Sequence, residues 1–186
     1  MRLVLVPVFF IVFLIEQHTS LKVPATVLIL IIYAVAELSD LFDGKIARGR
    51  NMVTDLGKVM DPFADTLTHV TYFVCFVSLG IMPLFAFIII MWREFSILFI
   101  RMLLAKYAGK AMPANIFGKA KTVLYAATTL LSFIYMALAT FSDLNLEIYE
   151  TVLYVFYCLS AFASLMSFII YMVQVFKSGS LSNMTR

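Results

Sequence analysis

Long apolar runs recur along this chain, and they constrain its fold more than any other feature. They lie at residues 3–15, 23–36, 66–92, 95–105, 122–141 and 151–176. A helix that crosses the hydrocarbon core of a bilayer needs about 20 apolar residues, and the last two runs meet that length unaided. Only 13% of the residues are charged, against roughly a quarter in a soluble domain. The sequence therefore predicts an integral membrane protein with short loops.

Turn residues divide these runs into six predicted helices. Gly80 and Pro83 favour a tight turn within the run at 66–92. The first helix is short and contains Pro7, yet no cleavage pattern follows it, which favours a helix truncated at its amino terminus over a signal peptide. We predict an all-α bundle of six transmembrane helices in one domain, residues 1–186. The helices are expected near residues 1–16, 23–48, 60–80, 83–107, 117–141 and 149–177.

Basic loop residues orient the predicted bundle. With the amino terminus in the cytoplasm, Lys22 is the one basic loop residue on the outer side, in agreement with the positive-inside rule. Residues 40–65 then face the cytoplasm across the cell membrane. Basic residues are scattered between apolar runs, so the sequence gives no support for nucleic-acid binding. The two cysteines, which lie in apolar runs, have no metal-binding spacing.

Four aspartates lie close together in a chain that has 11 acidic residues in all. Asp40 and Asp43 belong to the second predicted helix and Asp61 and Asp65 to the third, while Asp55 is expected in the loop between them. Spacings of three and four residues place each pair on one helix face. Ionised groups at membrane depth are costly unless they are paired, hydrated or bound to metal. Because carboxylates are preferred ligands of Mg²⁺ and Mn²⁺, the pattern predicts a two-metal site at the cytoplasmic ends of helices 2 and 3.

Small and basic residues beside the aspartates suit a ligand that contains phosphate. Gly44 and Ala47 share the helix face of Asp40 and leave a gap on it. Arg48, on the same helix, can donate two hydrogen bonds to a phosphate group. This combination favours phosphoryl transfer.

Helix capping is the simpler alternative for the same aspartates. Asp40 and Asp43 would then cap the end of one helix, and Asp61 would begin the next with Pro62 at its first position. Capping requires one acid at each end and no gap of small residues, so four acids on facing helices favour the metal site.

The stretch from Asp40 to Asp65 reads D-x2-D-G-x2-A-R-x8-G-x3-D-x3-D and resembles the signature of the CDP-alcohol phosphatidyltransferases. This resemblance implies that Asp40 and Asp61 bind both of two Mg²⁺ or Mn²⁺ ions, and that Asp43 and Asp65 each complete one ion. It implies that Asp65 is also the general base, and that the protein is a homodimer. The CDP-alcohol site that it implies consists of Gly44, Ala47, Arg48, Thr54 and Gly57.

Residues farther along the chain resemble the branch of this family that makes phosphatidylglycerophosphate. The pattern is Arg93-Glu94, a later arginine at Arg101, and G-K-x-K-T at residues 118–122. Glu94 and Arg101 are seven residues apart on one helix face, and we expect them to pair inside the bundle.

The predicted binding site for the phosphate of the acceptor consists of Arg101, Lys119 and Lys121. Three cations beside an acidic site suit an acceptor that itself carries phosphate. Alternatively, the two lysines are a snorkelling cytoplasmic anchor, and Arg93 lies at the membrane interface beside Trp92.

The predicted reaction is a Mg²⁺- or Mn²⁺-dependent transfer of a phosphatidyl group from CDP-diacylglycerol to sn-glycerol 3-phosphate, with release of CMP. The same chemistry with inositol phosphate, serine or a choline-type alcohol is an alternative. An intramembrane prenyltransferase would be a larger bundle, and an ion-coupled transporter would distribute its acids through the membrane. The expected partners are the bilayer and a second copy of the chain.

Overall fold

The computed structural model describes residues 2–49, 55–107 and 116–177, with side chains at 3–39, 62–104 and 116–177. Within these ranges it contains six α-helices and no strand. The predicted all-helical fold and the order of the helices are confirmed. The helices are α1 (Arg2–His18), α2 (Lys22–Gly49), α3 (Asp55–Ser78), α4 (Leu84–Tyr107), α5 (Ile116–Phe141) and α6 (Glu147–Lys177).

A glycine turn joins α3 to α4, where the sequence predicted a break. Gly80 has a φ of 76°, a left-handed conformation that glycine adopts without steric cost. The amide of Ile81 donates to the carbonyl of Phe76 over 3.1 Å, which satisfies one of the last carbonyls of α3 as in a Schellman motif. Pro83 then precedes the first residue of α4. The turn makes α3 and α4 neighbours in the bundle.

The start of α3 differs from the prediction. The helix begins at Asp55, and Pro62 lies inside it, whereas the sequence placed the start near residue 60 and Asp55 in the loop. Proline is favoured in a first turn, but here the helix continues through it and gives up one main-chain hydrogen bond. Asp61 is therefore within the helix, and α2 continues past Asp43 to Gly49. The capping alternative for these aspartates is wrong.

The six helices form a closed ring in cross-section. Each of the following neighbouring pairs is in contact: α1 with α2, α2 with α5, α5 with α6, α6 with α4, α4 with α3, and α3 with α1. Helix α3 also touches α5 across the ring. Helices that are distant in sequence, such as α3 and α5 or α4 and α6, are thereby brought together.

Aromatic rings form the centre of the larger core. Phe9 of α1 lies 4.7 Å from Tyr72 of α3, and Tyr72 lies 5.3 Å from Phe133 of α5, measured between ring centroids in edge-to-face geometry. All three side chains are at most 1% exposed. Such pairs add about 0.5–1.5 kcal/mol each beyond their burial. They fix α3 against α5, and Asp65 lies two turns before Tyr72 on α3.

The outer surface of the bundle is apolar. Large apolar side chains such as Leu84, Val123 and Ile148 are 62%, 69% and 81% exposed, which in a soluble monomer would be an aggregation hazard. Within the part of the chain that the structure describes, three segments are long and apolar enough to cross a membrane: α5, α6 and the Lys22–Ser39 part of α2. The chain is a membrane protein, while six crossings stay a prediction. Helix α4 is apolar apart from a few charged residues, of which Arg93, Glu94 and Arg101 line the cavity described next.

Candidate active site

A cavity of about 240 Å³ opens among α3, α4, α5 and α6. It lies beside the amino-terminal turns of α5 and the carboxy-terminal turns of α6. Both acidic and basic side chains reach its wall. The lining residues are Pro62, Asp65 and Thr66 of α3, Arg93, Glu94, Ile97, Leu98 and Arg101 of α4, Gly118, Lys121 and Thr122 of α5, and Ser167 and Tyr171 of α6.

An ion cluster centred on Glu94 forms one wall of the cavity. The Oε1 atom of Glu94 accepts a hydrogen bond from Nη1 of Arg93 over 2.8 Å and another from Nζ of Lys121. The hydroxyl of Tyr125 donates to the same oxygen over 3.2 Å. The side chains of Arg93, Glu94 and Lys121 are 7%, 13% and 14% exposed. Because these charges are withdrawn from water, their mutual attraction is stronger than at a surface.

The buried position of this cluster corrects two expectations. Arg93 is buried, and its Nη2 donates to the hydroxyl of Ser167 over 2.8 Å, so its side chain packs inside the bundle and is not exposed on the outer surface as Trp92 is. Lys121 is paired with Glu94, so the snorkelling alternative is wrong for this lysine.

Arg101 does not pair with Glu94, in contrast to the expectation from their spacing. Its guanidinium lies over the ring of Tyr171, 5.7 Å from the centroid, a geometry typical of a cation–π contact. Arg101 is exposed and Tyr171 is 3% exposed. The carboxylate of Glu94, which the spacing predicted as the partner of Arg101, instead accepts hydrogen bonds from the neighbouring Arg93 and from two residues of α5.

Asp65 is the predicted catalytic carboxylate whose side chain the structure describes. It lines the cavity, and its side chain is 57% exposed, with Nδ1 of His69 at 3.5 Å from its Oδ1. The same His69 nitrogen lies 3.0 Å from the main-chain carbonyl oxygen of Asp65. Nδ1 of His69 thus lies near both the main chain and the side chain of Asp65, and the carboxylate is accessible from the cavity.

The structure brings together three of the predicted site residues: Asp65, Arg101 and Lys121 line the same cavity. Lys119 is exposed and is not part of the cavity lining. The other predicted residues lie outside the described side chains or, for Thr54, outside the described residues. They are Asp40, Asp43, Gly44, Ala47 and Arg48 in α2, Thr54 between the helices, and Gly57 and Asp61 in α3.

A ladder of hydroxyl groups joins α5 to α6 beside the cavity, toward the carboxy-terminal end of α5. Tyr125 lies 3.0 Å from Ser164, Thr128 lies 3.1 Å from Ser160, and Ser132 lies 2.6 Å from Tyr157, in each case between oxygen atoms. All of these residues are buried. The ladder holds α5, which carries Lys121, in register with α6.

Sequence reasoning missed the polar residues of α6 and the role of Tyr125. Ser160, Ser164 and Ser167 recur at intervals of four and three residues, which puts them on one helix face. Tyr125 follows Lys121 by four residues and so shares its face. These spacings predict a polar stripe on each helix. Which residues of the two stripes contact each other depends on how the helices pack, and the sequence does not show this.

The fold and the cavity define a membrane protein whose site combines the accessible carboxylate of Asp65 with a basic wall. Arg93, Arg101 and Lys121 form this wall. A family profile described as CDP-alcohol phosphatidyltransferase matches residues 1–176. The chain belongs to this family and is accordingly a phosphatidyltransferase enzyme. The resemblance of the sequence to the CDP-alcohol phosphatidyltransferases is confirmed.

Curated relatives indicate the branch. A CDP-diacylglycerol–glycerol-3-phosphate 3-phosphatidyltransferase from Treponema pallidum is 33% identical over 157 residues, covering 81% of this chain and 72% of that protein. One from Bacillus subtilis is 37% identical over 92 residues, covering 50% of this chain and 47% of that protein. A cardiolipin synthase (CMP-forming) from Streptomyces coelicolor is 33% identical over 104 residues, covering 55% and 48%. The chain thus spans about half the length of the latter two relatives.

Proposed function

We propose that this protein transfers the phosphatidyl group of CDP-diacylglycerol to sn-glycerol 3-phosphate and releases CMP. The names of the Treponema and Bacillus relatives support this choice. The observation that carries it is the cavity, where Asp65 lies within the same lining as Arg93, Arg101 and Lys121. A carboxylate can take a proton from an alcohol, and the cations can hold an acceptor that is itself anionic.

In this reaction Asp65 takes the proton of the 1-hydroxyl of glycerol 3-phosphate. The oxygen then attacks the phosphorus that bears the diacylglycerol, and the bond from that phosphorus to the oxygen of CMP breaks. CMP leaves with the bonding electron pair. The basic wall holds the 3-phosphate and so orients the hydroxyl toward the donor, which is mainly catalysis by positioning and electrostatics.

The proposed metal ligands are Asp40, Asp43, Asp61 and Asp65. Four carboxylates fit the hard cations Mg²⁺ and Mn²⁺, α2 and α3 are helical through all four positions, and the side chain of Asp65 is accessible. Two bound ions would neutralise the diphosphate of the donor and stabilise the phosphate that leaves.

The donor site and the membrane arrangement belong to the same proposal. We propose that Gly44, Ala47, Arg48, Thr54 and Gly57 bind the CDP group. The distribution of basic loop residues supports a site that opens to the cytoplasm from the cell membrane. The resemblance to the family supports a homodimer.

Release of CMP by the purified protein in detergent tests the proposed reaction. CDP-diacylglycerol is supplied with glycerol 3-phosphate, serine, inositol phosphate or phosphatidylglycerol, the last because the Streptomyces relative is named a cardiolipin synthase. We expect release with glycerol 3-phosphate, and no membrane gradient is needed. Preferential use of another acceptor, or no CMP release at all, would contradict the proposal.

Arg101→Met is expected to raise the KM for glycerol 3-phosphate by about 10- to 100-fold, because a hydrogen bond to a charged group contributes about 1.5–3 kcal/mol. The KM for CDP-diacylglycerol should change little. Steady-state kinetics with each substrate varied in turn measure both values. Lys177→Met, which removes an exposed cation at the end of α6, is the matched control and should leave both values unchanged. Equal effects of the two substitutions would remove Arg101 from the acceptor site.

A further inference from the structure

We propose that Glu94 is a positioning residue for the phosphate of the acceptor. It holds the ammonium group of Lys121 at the cavity wall and does not itself bind substrate. This inference rests on the proposed function, since it concerns the same cavity. Its basis is the geometry of the cluster formed by Glu94 with Arg93, Lys121 and Tyr125.

Three donors converge on one oxygen of Glu94. Arg93 comes from the same helix, whereas Lys121 and Tyr125 come from α5. A carboxylate oxygen has about two lone-pair sites, so Oε1 is fully occupied. A carboxylate also repels a phosphate. Glu94 must therefore act through the cations that it holds.

Lys121 needs such an acceptor in order to stay at the wall. Its ammonium is strongly hydrated and sits on a flexible stem, yet its side chain is 14% exposed, and Arg93 nearby is also a cation. Without the carboxylate, repulsion between these two cations and the gain from hydration would favour rotation of Lys121 out of the wall. Glu94 offsets both the repulsion and the gain from hydration, because one of its oxygen atoms bonds to both cations.

The charge that remains matches a phosphate monoester. Among the lining residues of α4 and α5, the cations Arg93, Arg101 and Lys121 stand against the single carboxylate of Glu94. The lining residues of α4 and α5 therefore keep a formal surplus of two positive charges, or of one when Asp65 of α3 is counted, and a phosphate monoester carries about −1.5 to −2 near neutrality. A wall of this charge favours an acceptor with phosphate over an uncharged alcohol.

Contacts to α6 make the cluster rigid. Nη2 of Arg93 donates to Ser167 over 2.8 Å, and the hydroxyl of Tyr125 lies 3.0 Å from that of Ser164. Arg93 and Tyr125 are thus each connected to α6, and Lys121 of α5 is joined to α4 through Glu94. The position of the Lys121 ammonium then depends on three helices rather than on its own rotamer.

Glu94→Gln tests this inference, because glutamine keeps the size of the side chain and removes its charge. We expect the KM for glycerol 3-phosphate to rise at least tenfold, about 1.4 kcal/mol, while the KM for CDP-diacylglycerol stays within about twofold. Glu94→Asp keeps the charge on a shorter stem and should restore part of the loss. A KM that is unchanged or lower in Glu94→Gln would overturn the inference, because a lower value means that Glu94 only competes with phosphate for Lys121.

A matched pair of tyrosine variants gives an independent test that does not require removal of a charge. Tyr125 and Tyr157 are both buried, and each hydroxyl bonds to a serine across α5 and α6, but only Tyr125 also reaches Glu94. Tyr125→Phe should raise the KM for glycerol 3-phosphate at least threefold, and Tyr157→Phe should lower only the Tm. Equal kinetic effects of the two variants would show a purely structural role and overturn the inference.

Two results separate this inference from the proposed function. If the wild-type protein releases no CMP with glycerol 3-phosphate, the proposed function fails. If the wild type is active and the Glu94 and Tyr125 variants keep its KM, the inference fails alone. Protection against thermal unfolding by glycerol 3-phosphate should also be weaker in Glu94→Gln, because a ligand stabilises a protein according to its affinity.

Discussion

Asp65→Asn is expected to lower kcat for phosphatidyl transfer by at least about 100-fold, because general-base catalysis contributes about 10²- to 10⁴-fold. Asparagine has nearly the same shape as aspartate but cannot take the proton of the acceptor hydroxyl. The side chain of Asp65 is 57% exposed at the cavity, so water can hydrogen-bond to the amide of the asparagine. CMP release at saturating concentrations of both substrates measures the effect.

Asp143→Asn is the matched control for this substitution. Asp143 is an exposed carboxylate in the loop between α5 and α6, and it is not part of the cavity lining. This variant should keep the wild-type kcat and Tm. If Asp65→Asn keeps more than a tenth of the wild-type kcat while the control is normal, Asp65 is not the base.

The all-helical fold was predictable because a bilayer imposes a minimum length on each apolar run. The runs at 122–141 and 151–176 correspond closely to α5 and α6. The start of α3 was not predictable in the same way. Proline is favoured in a first turn, and the sequence does not reveal that the helix extends for two turns before Pro62.

The cavity was predictable only in part, because spacing within a helix does not determine contacts between helices. Glu94 and Arg101 share a face of α4, but Glu94 pairs with Lys121 of α5, a helix that is not a direct neighbour of α4 in the ring. For the two predicted lysines, the helical period did indicate that their side chains point in different directions. Residues two apart differ by about 200° around a helix, so Lys119 and Lys121 could not both face one cavity.

Removal of divalent metal is expected to reduce CMP release to background, and Mg²⁺ or Mn²⁺ should restore it. The protein is assayed in detergent after treatment with a chelator, and the metals are then added back one at a time. Ca²⁺ and Zn²⁺ at equal concentration test the preference for a small, hard cation. Full activity in the metal-free protein would contradict the proposed role of the four aspartates.

The charges of the cavity explain why this effect should be so large. The donor brings a diphosphate to a site where Asp40, Asp43, Asp61 and Asp65 would repel it, while the cations of the cavity wall are fixed in place by other contacts. Lys121 and Arg93 are bonded to Glu94, and Arg101 lies over Tyr171. In the proposed reaction those cations serve the acceptor, so the negative charge of the donor has to be balanced by metal ions. Asp61→Asn should therefore reduce activity even at high Mg²⁺, because it removes a ligand proposed to bind both ions.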